Sequence, residues 1–102
     1  MRIDDVRNEL RLVRDYYLSL EVGLRDTSKF RDLVDKYTFA ARHLKPCLYQ
    51  LYVDLYECGF SQRYEAVLRH WSNSYVYKLH HQLVLAFYSY FGGNDGKSIS
   101  NV

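Results

Sequence analysis

Breaks are scarce in this chain, and their positions constrain its fold more than any other feature. One proline and five glycines serve 102 residues, and three of those glycines, Gly92, Gly93 and Gly96, fall in the C-terminal tail. Pro46, Gly59 and Gly23 are the remaining interruptions. Long helices are the expected filling between them. The chain therefore predicts an all-α fold of about five helices. Residues 1–91 form one helical domain, and the Gly/Ser-rich stretch 92–102 forms a flexible tail.

Apolar spacing places the helices. Ile3, Val6, Leu10, Val13, Tyr17, Leu20 and Leu24 step by three and four, one stripe of a long amphipathic helix. Asp4 and Asp5 complement the helix dipole at its start, and Gly23 marks its end. The stripe packs on the rest of the domain or forms a dimer seam, and the spacing leaves both open. Thr27 or Ser28 caps a second helix, with Phe30, Leu33, Val34, Tyr37, Ala41 and Leu44 on its apolar face. That helix should stop before Pro46, because the residue ahead of a proline is pushed out of helical geometry. Pro46 suits the first turn of a third helix. Leu48, Leu51, Tyr52, Leu55 and Tyr56 give this helix a wide buried face, and Gly59 fits its left-handed C-terminal position.

The stretch from Leu48 to Leu83 then carries the functional signal. Ser61 is an N-cap for a short fourth helix reaching about Arg69, and Ser72 an N-cap for a fifth. Val76, Leu79, Leu83, Phe87 and Tyr90 give the fifth helix a buried stripe. Asn73, Ser74, Tyr77, Lys78 and His81 fall mostly on another face. Two helices joined by a short turn, over residues 60–91, form a helix-turn-helix frame whose second helix can enter the major groove of DNA. Asn can read adenine bidentately. Lys78 and Arg63 are suited to phosphate, and Gln62 at the start of the fourth helix is a further backbone contact. The expected partner is double-stranded DNA, through Gln62, Arg63, Asn73, Ser74, Tyr77, Lys78 and His81.

Composition limits the alternatives. Net charge is only +2, low for a strong nucleic-acid binder. Ten Lys/Arg and ten Asp/Glu balance over residues 1–58, whereas Arg63, Arg69, Lys78 and Lys97 face only Glu65 and Asp95 afterwards. A lightly charged domain of this size binds DNA weakly alone, so a homodimer is expected. The absence of an apolar leader at MRIDDVRNEL and of any membrane-length apolar run fits a cytoplasmic protein. Cys47 and Cys58 flank one helix about three turns apart, too far for a disulfide, and read as buried reduced thiols. The adjacent pair His80 and His81 point about 100° apart, and neither Cys-x-x-Cys nor His-x-x-x-His spacing accompanies His43 and His70, so no metal is expected. His80 should border the core and His81 meet solvent or DNA. Cys58 and His70 lack an orienting third group and an oxyanion site. The tail segment GGNDGKS lacks phosphate-loop spacing and a strand-to-helix context. No enzyme and no cofactor are expected.

Several runs carry a family resemblance: VRDYY, DLVDKY, LYQLYVDLYECGFSQ and YVYKLHHQLV. Its strongest marks are Leu48-Tyr49, Leu51-Tyr52-Val53, Leu55-Tyr56, Gly59, Ser61-Gln62, Tyr75-Val76, Leu79-His80 and Gln82-Leu83. Over nearly its whole length the chain resembles the small ArpU- and RinA-type transcriptional regulators of phages and prophages of Gram-positive bacteria. The resemblance implies a helix-turn-helix similar to the last domain of bacterial sigma factors, a recognition helix beginning at Ser72, and control of late phage genes in the cytoplasm of a bacterial host. The chain departs from that pattern at Glu65 and Arg69, where aliphatic residues are usual. Their i,i+4 spacing lets them pair on a solvent face, with the fourth helix rotated or shifted and Tyr64, Val67, Leu68 and Trp71 beside them.

That departure, the low charge and the tyrosines define a second reading. Eleven tyrosines exceed what a small core can cover, so some should form an exposed interface patch. On this reading the chain is a helical module built on a degenerate helix-turn-helix. It would bind host RNA polymerase or another host protein.

Overall fold

The computed structural model describes residues 2–21 and 30–92. Among them the regular structure is all helical, in five helices: α1 (Ile3–Glu21), α2 (Arg31–Ala41), α3 (Pro46–Tyr52), α4 (Gln62–Arg69) and α5 (Asn73–Tyr90). Helix α3 runs on into a π-helical turn, Val53–Glu57. The expected features at Gly23, Leu24, Thr27 and Ser28, and the tail from Gly93 onward, lie outside the described residues.

Helix α1 buries Val6, Leu10 and Val13 completely. Further along, Tyr16 takes the buried place expected for Tyr17, and Leu20 is half exposed. An α-helix drifts ~20° per heptad against a strict seven-residue repeat, and α1 follows that drift. Its stripe packs on the π turn, α5 and α2, so it serves the chain's own core. On α2, Val34, Tyr37, Ala40 and Ala41 face inward. The buried Tyr37 ring meets Phe87 edge-on, and its hydroxyl donates to Glu9 Oε1 at 2.7 Å. Lys45 is extended and Pro46 opens α3, as the proline requires.

Leu48, Leu51, Tyr52, Leu55 and Tyr56 are all buried, the face read from the sequence. The π turn adds Asp54, which is 4% exposed. A π turn closes i→i+5 bonds and widens the helix locally. Here the Cys58 N–H donates to Val53 O at 2.8 Å, and three consecutive residues, Asp54, Leu55 and Tyr56, are buried. Gly59 then takes the left-handed conformation, φ +77°. A Cβ there would come within 2.9 Å of Leu18 Cδ2. Cys47 and Cys58 are exposed, which corrects the expectation of buried thiols. Cys47 sits in the first turn of α3, outside its inward face, and Cys58 follows the π turn where the chain leaves the core.

Helix α4 corrects a larger expectation. Glu65 is fully buried, not on a solvent face. Arg69 does pair with it, Nε to Oε2 at 3.4 Å, but on the inner side. Arg69 also reaches Asp54 Oδ2 through Nη2 at 2.6 Å. The π turn thus supplies the anchor: it carries Asp54 inward, Arg69 follows Asp54, and Glu65 lies between. Ala66 is buried beside Glu65, but the large apolar residues of α4 face outward, with Tyr64 50%, Val67 69% and Leu68 44% exposed.

Helix α5 buries Val76, Leu79, Leu83 and Phe87 as spaced, together with Val84. Tyr90, expected in that stripe, is exposed and stacks on the His43 ring at 5.0 Å.

Candidate nucleic-acid interface

Two serines build the two ends that meet at the surface. Ser61 Oγ accepts from the Tyr64 N–H at 3.0 Å, and Ser72 Oγ accepts from the Tyr75 N–H at 3.1 Å. Each satisfies an otherwise orphaned helix-start donor. The turn between α4 and α5 is His70–Ser72. His70 closes α4 in the left-handed conformation, φ 60°, and the Trp71 N–H returns to Ala66 O at 2.9 Å. This turn sets the first turns of α4 and α5 side by side.

Between those first turns lies an open hollow of about 620 Å³, lined by Gln62, Arg63, Asn73, Ser74, Tyr77 and Lys78. Six of the seven residues singled out from the sequence therefore share one concavity. The positive ends of two helix dipoles border it, a setting that favours an anion. Tyr77 is 69% exposed, so its ring and hydroxyl are available to a partner. The seventh residue, His81, is exposed but lies one turn further along α5. There Arg7 Nη2 of α1 is 3.5 Å from its Nδ1.

Two further hollows that the sequence reading missed share lining residues with it in series, a furrow in three parts. Through Gln62 the first meets a second hollow lined by Arg14, Leu55, Tyr56, Phe60, Ser61 and Gln62. Through Arg14 and Tyr56 that one meets a third, lined by Arg7, Arg11, Arg14, Tyr56 and His80. Five cationic side chains, Arg7, Arg11, Arg14, Arg63 and Lys78, line the run, and none of the described carboxylates does. Only Arg7 forms an ion pair with a described residue, the exposed Asp4 at 3.6 Å. The missed signal was present in the spacing: Arg7, Arg11 and Arg14 step by four and three along α1, each directly after a buried stripe residue, so they form a row flanking the apolar stripe.

The furrow floor is held by neutral groups. Arg14 donates from Nη2 to Gly59 O at 2.7 Å, tying α1 to the start of the helix-turn-helix. Tyr56 and His80 are hydrogen-bonded through the Tyr56 hydroxyl and His80 Nε2. Burial holds His80 below its ordinary value, helped by Arg7 and His81, which favours a neutral ring hydrogen-bonded to a neutral Tyr56 hydroxyl. Burial pushes the Tyr56 hydroxyl up to about 12.

Behind α4, the Asp54–Glu65–Arg69 group is the other concentration of charge. Burial, then a hydrogen bond to Asp54 and the charge of that carboxylate, push Glu65 up to about 7. Burial acts to raise Asp54 too. Hydrogen bonds from Glu65, Arg69 and Gln50 outweigh it and hold Asp54 below the usual carboxylate range. Glu65 Oε1 is buried without a hydrogen-bond partner among the described residues. Among the described residues, no three His, Cys, Asp or Glu side chains converge as metal ligands would. No described helix is long and apolar enough to cross a membrane.

Comparison of the chain with protein-family models, with curated proteins and with solved structures finds no match.

Proposed function

We propose that this protein is a sequence-specific DNA-binding transcriptional regulator of the phage type that its sequence resembles, acting on late genes in the cytoplasm of a bacterial host. The observation that carries the reading is the hollow between the two helix starts. Gln62, Arg63, Asn73, Ser74, Tyr77 and Lys78 line it together, at the end of a helix-turn-helix where the second helix is exposed. In the proposed complex the start of α5 enters the major groove. Asn73 and Ser74 meet base edges, and Tyr77 and His81 meet bases or phosphates. Arg63 and Lys78 fix register on phosphate, with Gln62 beside them. A homodimer doubles this footprint.

Two substitutions divide the roles. Lys78→Ala should weaken binding by a similar factor on all duplexes, and Asn73→Ala should narrow the gap between preferred and random duplexes by about 1–3 kcal/mol. Duplex selection followed by anisotropy titration measures both. If neither substitution changes binding of a duplex the protein does bind, the recognition helix is wrongly placed.

A second reading draws on one specific observation, the outward apolar face of α4. Tyr64, Val67 and Leu68 are 50%, 69% and 44% exposed, on the three-and-four spacing of a helix-in-groove ligand. On this reading the chain is a protein-binding module that engages a host polymerase or other host protein. Val67→Glu separates the two readings, because it should abolish a protein contact there and leave DNA affinity nearly unchanged.

A further inference from the structure

We infer that the arginine row of α1, Arg7, Arg11 and Arg14, is a second phosphate-binding rail, which carries the backbone of the same duplex past the recognition helix. The inference rests on the DNA-binding reading and extends it to an element outside the helix-turn-helix.

Continuity is the first argument. The hollow at the arginines shares Arg14 and Tyr56, and the hollow at the helix starts shares Gln62, with a hollow between them, so one extended polyanion can follow all three. Length is the second. Arg7 and Arg14 stand seven residues apart, roughly 10 Å along an α-helix, so the row can meet more than one phosphate of a strand. A lone oxyanion would need the three guanidinium groups to converge; a strand needs them in series.

Charge is the third argument. Arg11 forms no ion pair with any described residue, and Arg14 spends one N–H on Gly59 O. Arg7 touches His81 Nδ1 and pairs with the exposed Asp4, an ion pair that a phosphate can replace at little cost. The neutral Tyr56–His80 pair floors the row, so nothing beneath it neutralises the arginines. This also accounts for how a chain of net charge +2 could hold DNA: five of its fourteen Lys/Arg line one run, and among the described carboxylates only the exposed Asp4 pairs with any of them.

Counterion release gives the test a number. Arg63 and Lys78 alone predict a slope of log K against log salt near −1.8 per bound protomer, and all five cations predict about −4.5, at ~0.9 per phosphate neutralised. The measurement is anisotropy of a labelled mixed-sequence duplex of about 25 base pairs between ~50 and ~200 mM chloride, with full-length protein. Arg7→Gln/Arg11→Gln should flatten the slope by about 1.8 and weaken binding of all duplexes alike, with the ranking of preferred sites kept. Asp4→Asn should move affinity the other way. Arg14 is left intact because its bond to Gly59 supports the fold.

If the wild type binds and the double variant, folded by circular dichroism, keeps the wild-type slope and affinity, the rail is refuted while the DNA reading stands. If the wild type binds no duplex, the DNA reading fails and takes the rail with it. Inorganic phosphate and chloride at equal ionic strength should displace the duplex equally. Preferential displacement by phosphate would assign the row to a free oxyanion and overturn the inference.

Discussion

At the scale of single residues, Glu65 is the most informative. It is a carboxyl with no exposure, beside a second buried carboxyl and one arginine. Its folded-state value of about 7 lies above that of an unfolded glutamate, ~4.3. The folded state therefore holds its proton to higher pH than the unfolded state does. The resulting stability is full below the unfolded value and is lost as pH rises toward 7. The difference in unfolding free energy between wild type and Glu65→Gln, read from urea titrations, should accordingly shift in favour of the variant from pH 5 to pH 8, by on the order of 1 kcal/mol. His80, which acts in the acid direction, contributes equally to both proteins and cancels. Arg69→Ala should be far more damaging, by about 3 kcal/mol, because it leaves Asp54 and Glu65 facing each other without a cation. His70 gives a prediction of opposite sign. It is exposed and left-handed, so His70→Gly should raise the thermal midpoint, by roughly 0.5–1 kcal/mol of stability.

At the scale of elements, legibility in the sequence followed the locality of the cause. Ser61, Ser72, Pro46 and Gly59 act on their own helix ends, and each stands where its chemistry requires. The buried faces of α3 and α5 were legible for the same reason, since helical spacing alone defines them. Helix α4 was not legible. The spacing of Glu65 and Arg69 correctly announced a pair, but its side of the helix depends on Asp54, eleven residues upstream of Glu65. No local pattern announces that a π turn will carry Asp54 inward. The outward apolar face of α4 follows from that one contact. Gly59 links the same two elements: Gly59→Ala should cost about 1–2 kcal/mol, from left-handed strain and from the approach of a Cβ to Leu18. Chemical denaturation reads this directly.

At the scale of the whole molecule, six of seven candidate residues were found from sequence in one hollow, because the face of α5 opposite its buried stripe is local information. The arginines of α1 were passed over because net charge was weighed by chain segment, and residues 1–58 balance. Folding sorts charge by position in space instead. It places Arg7, Arg11 and Arg14 beside the helix-turn-helix, where among the described carboxylates only the exposed Asp4 pairs with one of them. The DNA-binding account depends on this sorting, and a salt titration of duplex binding tests it most directly. The account predicts measurable affinity for a mixed-sequence duplex at ~50 mM salt that falls by orders of magnitude toward ~200 mM. No detectable binding at the low-salt end, where phosphate contacts are strongest, would contradict it.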